Sequence, residues 1–295
     1  MMTKYFIGID GGGTRCRARL EDAHGKLLGQ GEGGAANIMR NPAQATTSIV
    51  DACTRAVAAS TLPVQLKEIT VGAGLAGANI PSACHAFSNW QHPFDSLSVL
   101  SDLHAACLGA HDGQDGAVIV CGTGSSATRC VNGEFIDIGG HGFLVGDIAS
   151  GAWLGLKAVQ HTLLALDGLI PRDPLCEAVC ATFDVQDDSA LIQKVSAFEA
   201  KDYAVLAPAM VTLNTDGDAV ARSLFDEGSA YLRRIAHHLL DNSNLPLCLI
   251  GGLSDTYKPW YDESVRARIQ PCKSSPEQGA IAFAKQSIKQ GAQQL

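Results

Sequence analysis

Several features that would decide the class of this 295-residue chain outright are missing from it. It contains no Gly-Lys-Ser or Gly-Lys-Thr, which excludes a Walker-type phosphate loop and the lysine point charge that such a loop supplies. No two of its 10 cysteines are spaced as Cys-x-x-Cys. Cys107, Cys121 and Cys248 sit inside apolar runs, and the set reads as buried reduced thiols of a cytosolic protein. No stretch approaches the ~18 apolar residues of a membrane-spanning helix. Positive charge is short: 22 Lys and Arg against 30 Asp and Glu leave a net charge of −8. That balance argues against nucleic acid or an anionic membrane as a partner. No charge block or low-complexity linker divides the chain, and its start runs straight into a strand pattern, so no signal peptide is expected.

Glycine is where the information lies. Asp10-Gly11-Gly12-Gly13-Thr14 follows an apolar run at residues 5–9. Gly122-Thr123-Gly124-Ser125-Ser126 follows a second run at 117–121, and Gly251-Gly252-Leu253-Ser254 a third at 247–250. A β-rich run that ends in glycines and a hydroxyl lets backbone N–H groups approach an anion closely. One such turn is a weak signal. Three in order suggest two halves that close on one nucleotide.

The length fits two domains of ordinary size. Residues 14–20 alternate, with Cys16, Ala18 and Leu20 on one face and Arg15, Arg17 and Arg19 on the other, the pattern of a half-exposed strand. Asn41-Pro42 predicts a helix start, with the helix running to about residue 60. Strands are predicted at 69–72 and 97–100, and helices at 81–90 and 103–110. The turn-rich segment 112–116 marks the domain boundary. The second half repeats the plan: a strand at 117–121, then a hairpin about Asn132-Gly133. Helices follow at 153–166, 174–183 and 219–240, and a strand at 247–250. A last helix opens at residue 276 and runs to about 289. Its Gly279-Ala280 and the Ala105-Ala106/Gly109-Ala110 helix are small enough to cross closely, and that crossing is the expected hinge.

The three turns in this order resemble the sugar-kinase branch of the actin-like ATPase superfamily, from Tyr5 to the last helix. Within that branch the chain is similar to bacterial N-acetylglucosamine and glucosamine kinases. The narrower match rests on Ala35-Ala36-Asn37-Ile38-Met39, Ser101-Asp102-Leu103-His104-Ala105-Ala106 and Gly139-Gly140-His141-Gly142 with Gly146-Asp147. The resemblance implies an α/β protein of two ribonuclease H-like domains, each a mixed five-stranded sheet flanked by helices, with the active site in the cleft between them. The domains would be residues 1–115, completed by helix 276–295, and residues 116–275. It further implies a cytoplasmic, ATP- and magnesium-dependent phosphotransferase acting on the 6-hydroxyl of an amino sugar, and it suggests a homodimer.

Single residues then acquire expected roles, each beside a plainer one. Asp10 would hold magnesium through water, where by itself it is an Asp that opens a turn. Gly11, Gly12, Gly13 and Thr14, with Gly122, Thr123, Gly124 and Ser125, would address the phosphates. Gly251, Gly252 and Ser254 would lie against the adenosine, although glycines after a strand also serve ordinary tight turns. Asp102 would accept the proton of the sugar hydroxyl; taken alone it reads as a helix N-cap. Asn37, His141 and Asp147 would meet the sugar. Asn37 can equally be a turn residue, His141 a solvated side chain that stands where animal-type N-acetylglucosamine kinases carry tryptophan, and Asp147 a cap for a helix at 148–156. Glucosamine and N-acetylglucosamine both remain open as substrates. The alternative within the same nucleotide fold is an activator ATPase of the benzoyl-CoA reductase or hydroxyacyl-CoA dehydratase type. The Gly-Gly-Gln-Asp motif usual in those proteins is replaced here by Gly139-Gly140-His141-Gly142. The Cys-x-Cys-Gly cluster of a zinc-binding sugar-kinase family is also missing, so no structural zinc is expected.

Overall fold

The computed structural model describes residues 4–241 and 243–293. The chain divides into two compact units at Gly116/Ala117. Thr128–Phe135 and the segment that begins at Pro271 group with the first unit, and Ile136–Gln270 with the second.

The first unit is built on a five-stranded sheet of order β3-β2-β1-β4-β5. Its strands are β1 (Tyr5–Gly11), β2 (Cys16–Asp22), β3 (Leu27–Gly33), β4 (Ile69–Leu75) and β5 (Ser96–Ser101). The first three form an antiparallel meander, and β4 and β5 add in parallel. β1 reads as an apolar run because both of its faces are covered. Ile7 and Ile9 are buried on one side with Val71 and Leu75, under helix α1 (Pro42–Ser60). Each such side chain contributes roughly 1.5–3 kcal/mol of burial. β2 alternates as expected: Cys16, Ala18 and Leu20 are buried, while Arg17 and Arg19 are half-exposed. Asn41 caps α1 by accepting from Gln44 N at 3.0 Å, with Pro42 in the first turn. Helices α2 (Pro81–Ser88) and α3 (Asp102–Ala110) follow β4 and β5.

A second sheet, built mostly from residues of the second unit, has the order β8-β7-β6-β9. Its strands are β6 (Gly116–Cys121), β7 (Ser125–Val131), β8 (Glu134–Gly139) and β9 (Leu247–Ile250), with β6 and β9 parallel. Five strands were expected and four are found among the described residues. In the fifth place Ile269 makes only an isolated parallel bridge to Leu247. The extended segment there is pinned between a helix ending at Arg266 and Pro271, which has no N–H to continue a ladder.

The helices of this unit are α4 (Gly151–Leu166), α5 (Pro174–Phe183), α6 (Asp188–Val195), α7 (Ala200–Tyr203), α8 (Ala207–Asp216), α9 (Ala219–Leu240), α10 (Ser254–Tyr257) and α11 (Glu263–Arg266). They gather around Leu154, Leu175, Phe225 and Tyr257. The last helix, α12 (Pro276–Gln293), returns to the sheet of the first unit, and its crossing with α3 brings Gly279 against the backbone of Ala105 and Gly109. None of the ten cysteines forms a disulfide, and no described helix is long and apolar enough to cross a membrane.

Candidate functional site

In the first unit the chemistry-bearing residues collect at the C-terminal ends of the parallel strands. Asp10 is the last side chain before the first glycine turn. That turn is closed by Gly12 N donating to Arg15 O at 2.9 Å, and Gly13 and Thr14 are exposed at its tip. Asp10 and Arg17 are direct cross-strand partners, and Arg17 Nη2 donates to Asp10 Oδ2 at 2.5 Å. Arg17 thus places a cation beside the turn that lacks a lysine.

Asp102 opens α3 but does not cap it. The cap is Ser101, whose Oγ accepts from His104 N at 3.1 Å. Asp102 Oδ1 accepts the adjacent Leu103 N at 2.9 Å, and the carboxylate also takes a hydrogen bond from its own backbone N–H. Burial pushes its pKa up; the Leu103 N–H opposes this, and the charge of Asp10 adds to the rise. A desolvated carboxylate with little structural work to do, in the field of a second carboxylate, has the character of a base poised for proton transfer.

Asn37 performs its turn role: Oδ1 accepts from Met39 N at 3.0 Å and from Arg40 N at 2.9 Å. Only its amide nitrogen is left to address a ligand.

In the second unit the second and third turns share one strand end. Leu253 N donates to Cys121 O at 3.1 Å, and Gly251 holds φ at +108° with its Cα pressed against that same carbonyl. A side chain there would be strained and would also clash, so the glycine is dictated by geometry. The first amides of α4 close the second turn, with Gly151 N on Gly122 O at 2.7 Å and Ala152 N on Thr123 O at 3.1 Å.

These turns border a cavity of about 680 Å³. Gly122 and Thr123 line one side, Gly252, Leu253 and Thr256 another, and Ala204, Ala207, Pro208 and Val211 the wall between α7 and α8. Largely apolar walls with a few backbone amides suit a flat heteroaromatic group, and the volume is that of a small-molecule site. The α7–α8 wall is the part that the sequence did not disclose. Small apolar residues carry no chemical signature.

Asp147 is buried with φ at +55°, and its carboxylate lies against Gly124. It does not cap α4; Ser150 does, accepting from Trp153 N at 3.1 Å. Burial raises its pKa, while the backbone N–H groups of Ser125 and Gly142 and the charge of His141 oppose the rise. The Ser125 hydroxyl donates to Ile148 O at 2.8 Å, so that side chain is engaged within the fold and Thr123 is the turn hydroxyl that faces the cavity. His141 is exposed. Ser254 is buried, and its Oγ has no hydrogen-bond partner among the described residues. Tyr231 on α9, which the sequence did not single out, lies near Asp147, whose charge adds to burial in raising its pKa.

The chain is similar over most of its length to known proteins. The profile of the BadF/BadG/BcrA/BcrD ATPase family matches residues 7–283. The chain is 36% identical over 281 residues to glucosamine kinase GspK of Vibrio cholerae, with 95% of each chain covered. It is 24% identical to the N-acetylmuramic acid/N-acetylglucosamine kinase of Clostridium acetobutylicum over 88% of this chain and 89% of that one. A crystal structure of a candidate N-acetylglucosamine kinase from Chromobacterium violaceum superposes with a TM-score of 0.87 at 32% identity, covering 95% of this chain and 99% of that one.

Proposed function

We propose that this chain, which belongs to the BadF/BadG/BcrA/BcrD ATPase family, transfers the γ-phosphoryl group of ATP to the 6-hydroxyl of an amino sugar. The observation that carries the reading is Asp102: a desolvated carboxylate relieved of helix capping by Ser101 and set in the field of Asp10. Full-length likeness to a glucosamine kinase, at 36% identity, supports the sugar over the activator-type alternative.

Asp102 orients the hydroxyl and accepts its proton while the oxygen attacks phosphorus. The bond from phosphorus to the bridging oxygen breaks, and ADP leaves. The turns Gly11–Thr14 and Gly122–Ser125 address the phosphate tail with their remaining N–H groups, since Gly12 N donates to Arg15 O and Gly122 N to Gly124 O within the turns themselves. The 680 Å³ cavity takes the adenosine. Asn37, His141 and Asp147 read the sugar.

Asp10 is a suitable holder for magnesium. The metal keeps most of its waters and needs one or two carboxylates beside substrate phosphates, and among the described residues no cluster of three or more His, Cys, Asp or Glu offers a self-sufficient cage. Magnesium, when bound, would neutralise charge on the phosphates.

A coupled ADP-release assay with Mg-ATP over glucosamine, N-acetylglucosamine, N-acetylmannosamine, glucose and no sugar tests the reading. Turnover that depends on one amino sugar is expected. ATPase activity indifferent to every sugar would overturn it. The cavity assignment has its own check. Val211→Trp fills space at the adenosine wall and is expected to raise KM for ATP about tenfold or more with kcat little changed, the signature of lost uniform binding. An unaltered KM for ATP would move the adenosine elsewhere.

A further inference from the structure

Glu277 is a buried carboxylate whose position is not required by the helix that carries it. The start of α12 is organised by its neighbours: Ser275 N donates to Gln278 Oε1 at 3.2 Å, and Gln278 N donates to Ser275 Oγ at 3.4 Å. That is a reciprocal capping box, complete without Glu277. Glu277 is nevertheless only 6% exposed. An isolated buried carboxylate is strongly unfavourable, so its partner defines its role.

The partner is Arg17. Arg17 Nε lies 3.1 Å from Glu277 Oε1, while Nη2 of the same guanidinium donates to Asp10 Oδ2 at 2.5 Å. Nε is itself buried and lacks a well-aligned hydrogen bond among the described residues, so Glu277 holds it through charge at short range. One guanidinium is therefore shared by two carboxylates. A guanidinium prefers to clamp a single carboxylate with two parallel N–H groups, and that fork would occupy both oxygens of Asp10. Here the inner edge is turned toward α12. Asp10 meets Arg17 through Oδ2, and Oδ1 accepts no hydrogen bond among the described residues.

We propose that Glu277 is a positioning residue: by drawing Arg17 toward α12 it limits the cation to one oxygen of Asp10 and keeps Oδ1 available for the hydrated magnesium of Mg-ATP. The inference rests on the kinase reading only for the identity of the nucleotide. Its chemistry is that of a partner behind a metal-holding carboxylate, which sets how well that carboxylate serves the ion. Glu277 also adds negative charge close to the ion's position, an effect of the same sign.

The test is a Mn²⁺ titration followed by electron paramagnetic resonance, with ADP present and no sugar, on the full chain and on Glu277→Gln. Glutamine keeps the size and can still accept a hydrogen bond while losing the charge. The variant is expected to need about tenfold more Mn²⁺ for half-saturation. In turnover the half-saturating Mg²⁺ concentration should rise in parallel, with KM for the sugar unchanged. Glu277→Asp, which restores the charge on a shorter arm, should recover part of the difference. Wild-type Mn²⁺ binding by Glu277→Gln would overturn the proposal.

Should that variant fail to fold, Glu277→Asp serves alone. Its shorter arm cannot hold Nε at the present 3.1 Å, so Arg17 should turn toward both oxygens of Asp10 and the half-saturating Mn²⁺ concentration should rise above wild type; a wild-type value would overturn the proposal equally. Failure to phosphorylate any amino sugar would sink the kinase reading while leaving the Mn²⁺ titration to decide the role of Glu277.

Discussion

Asp102→Asn is expected to abolish sugar phosphorylation, lowering kcat by roughly a hundred- to ten-thousand-fold, without loss of fold. Asparagine keeps the shape and can still accept the Leu103 N–H that Asp102 Oδ1 takes. It cannot accept the proton. Stability should not fall, because the cap of α3 belongs to Ser101. The sign follows from linkage. The pKa of Asp102 is raised by burial, so its favourable contribution is fully present below the unfolded-state value and is lost as pH rises through the folded-state value. At neutral pH the ionised carboxylate is a net cost to the fold, and the asparagine variant should melt no lower than wild type. The same shift moves the acid limb of the wild-type kcat/KM profile upward from the ordinary aspartate value. Steady-state kinetics from pH 4 to 8 and a melting curve check all three statements. Wild-type turnover by Asp102→Asn would remove the proposed base.

What could be read in the sequence, and what could not, divides along a physical line. Local signals were reliable. Asn41-Pro42 starts α1, Asn132-Gly133 turns the hairpin between β7 and β8, and the runs at 174–183, 219–240 and 247–250 are elements with those bounds. β4 extends through Leu75 rather than stopping at residue 72, because its parallel pairing with β1 carries Ala73 and Gly74 along despite their weak strand preference. Caps were ambiguous for a different reason. A cap was the plainer reading of both Asp102 and Asp147, but Asp102 is the first residue of α3 and Asp147 lies shortly before α4, and Ser101 and Ser150 do the capping. A choice between neighbouring oxygen-bearing side chains depends on backbone angles that no residue type announces.

Non-local partners were invisible. Arg17 read as the outer face of a strand and Glu277 as the start of a helix, and only the packing of α12 onto the first sheet brings their charges to 3.1 Å. The α6–α8 segment, which supplies a wall of the cavity, was missed because its helices are short and their apolar stripes too brief to show a period.

Gly279→Val is expected to have the largest effect on stability, destabilising the protein by about 3 kcal/mol or more. On helix propensity alone, a glycine inside α12 is unfavourable by about 1 kcal/mol relative to alanine, so removing it should help. Sterics oppose this and win. A Cβ at Gly279 would fall within contact of the Ala105 carbonyl oxygen and the Gly109 nitrogen, which are backbone atoms of α3 and cannot rotate aside. Relief requires α12 to move off α3. The same helix also rests on the sheet at Gly8 and Gly72, where the backbone carbonyls of Glu277 and Ala280 occupy the space a Cβ would need. Contact on both sides leaves no direction in which α12 can yield without losing buried area on the other. With about 2–4 °C per kcal/mol for a chain of this size, the melting temperature should fall by about 6–12 °C. Gly8→Ala, which disturbs the same helix from the sheet side, should lower it comparably. Calorimetry on the two variants decides the matter: unaltered melting of Gly279→Val would mean that α3 and α12 cross at a greater distance than the close backbone approach described above.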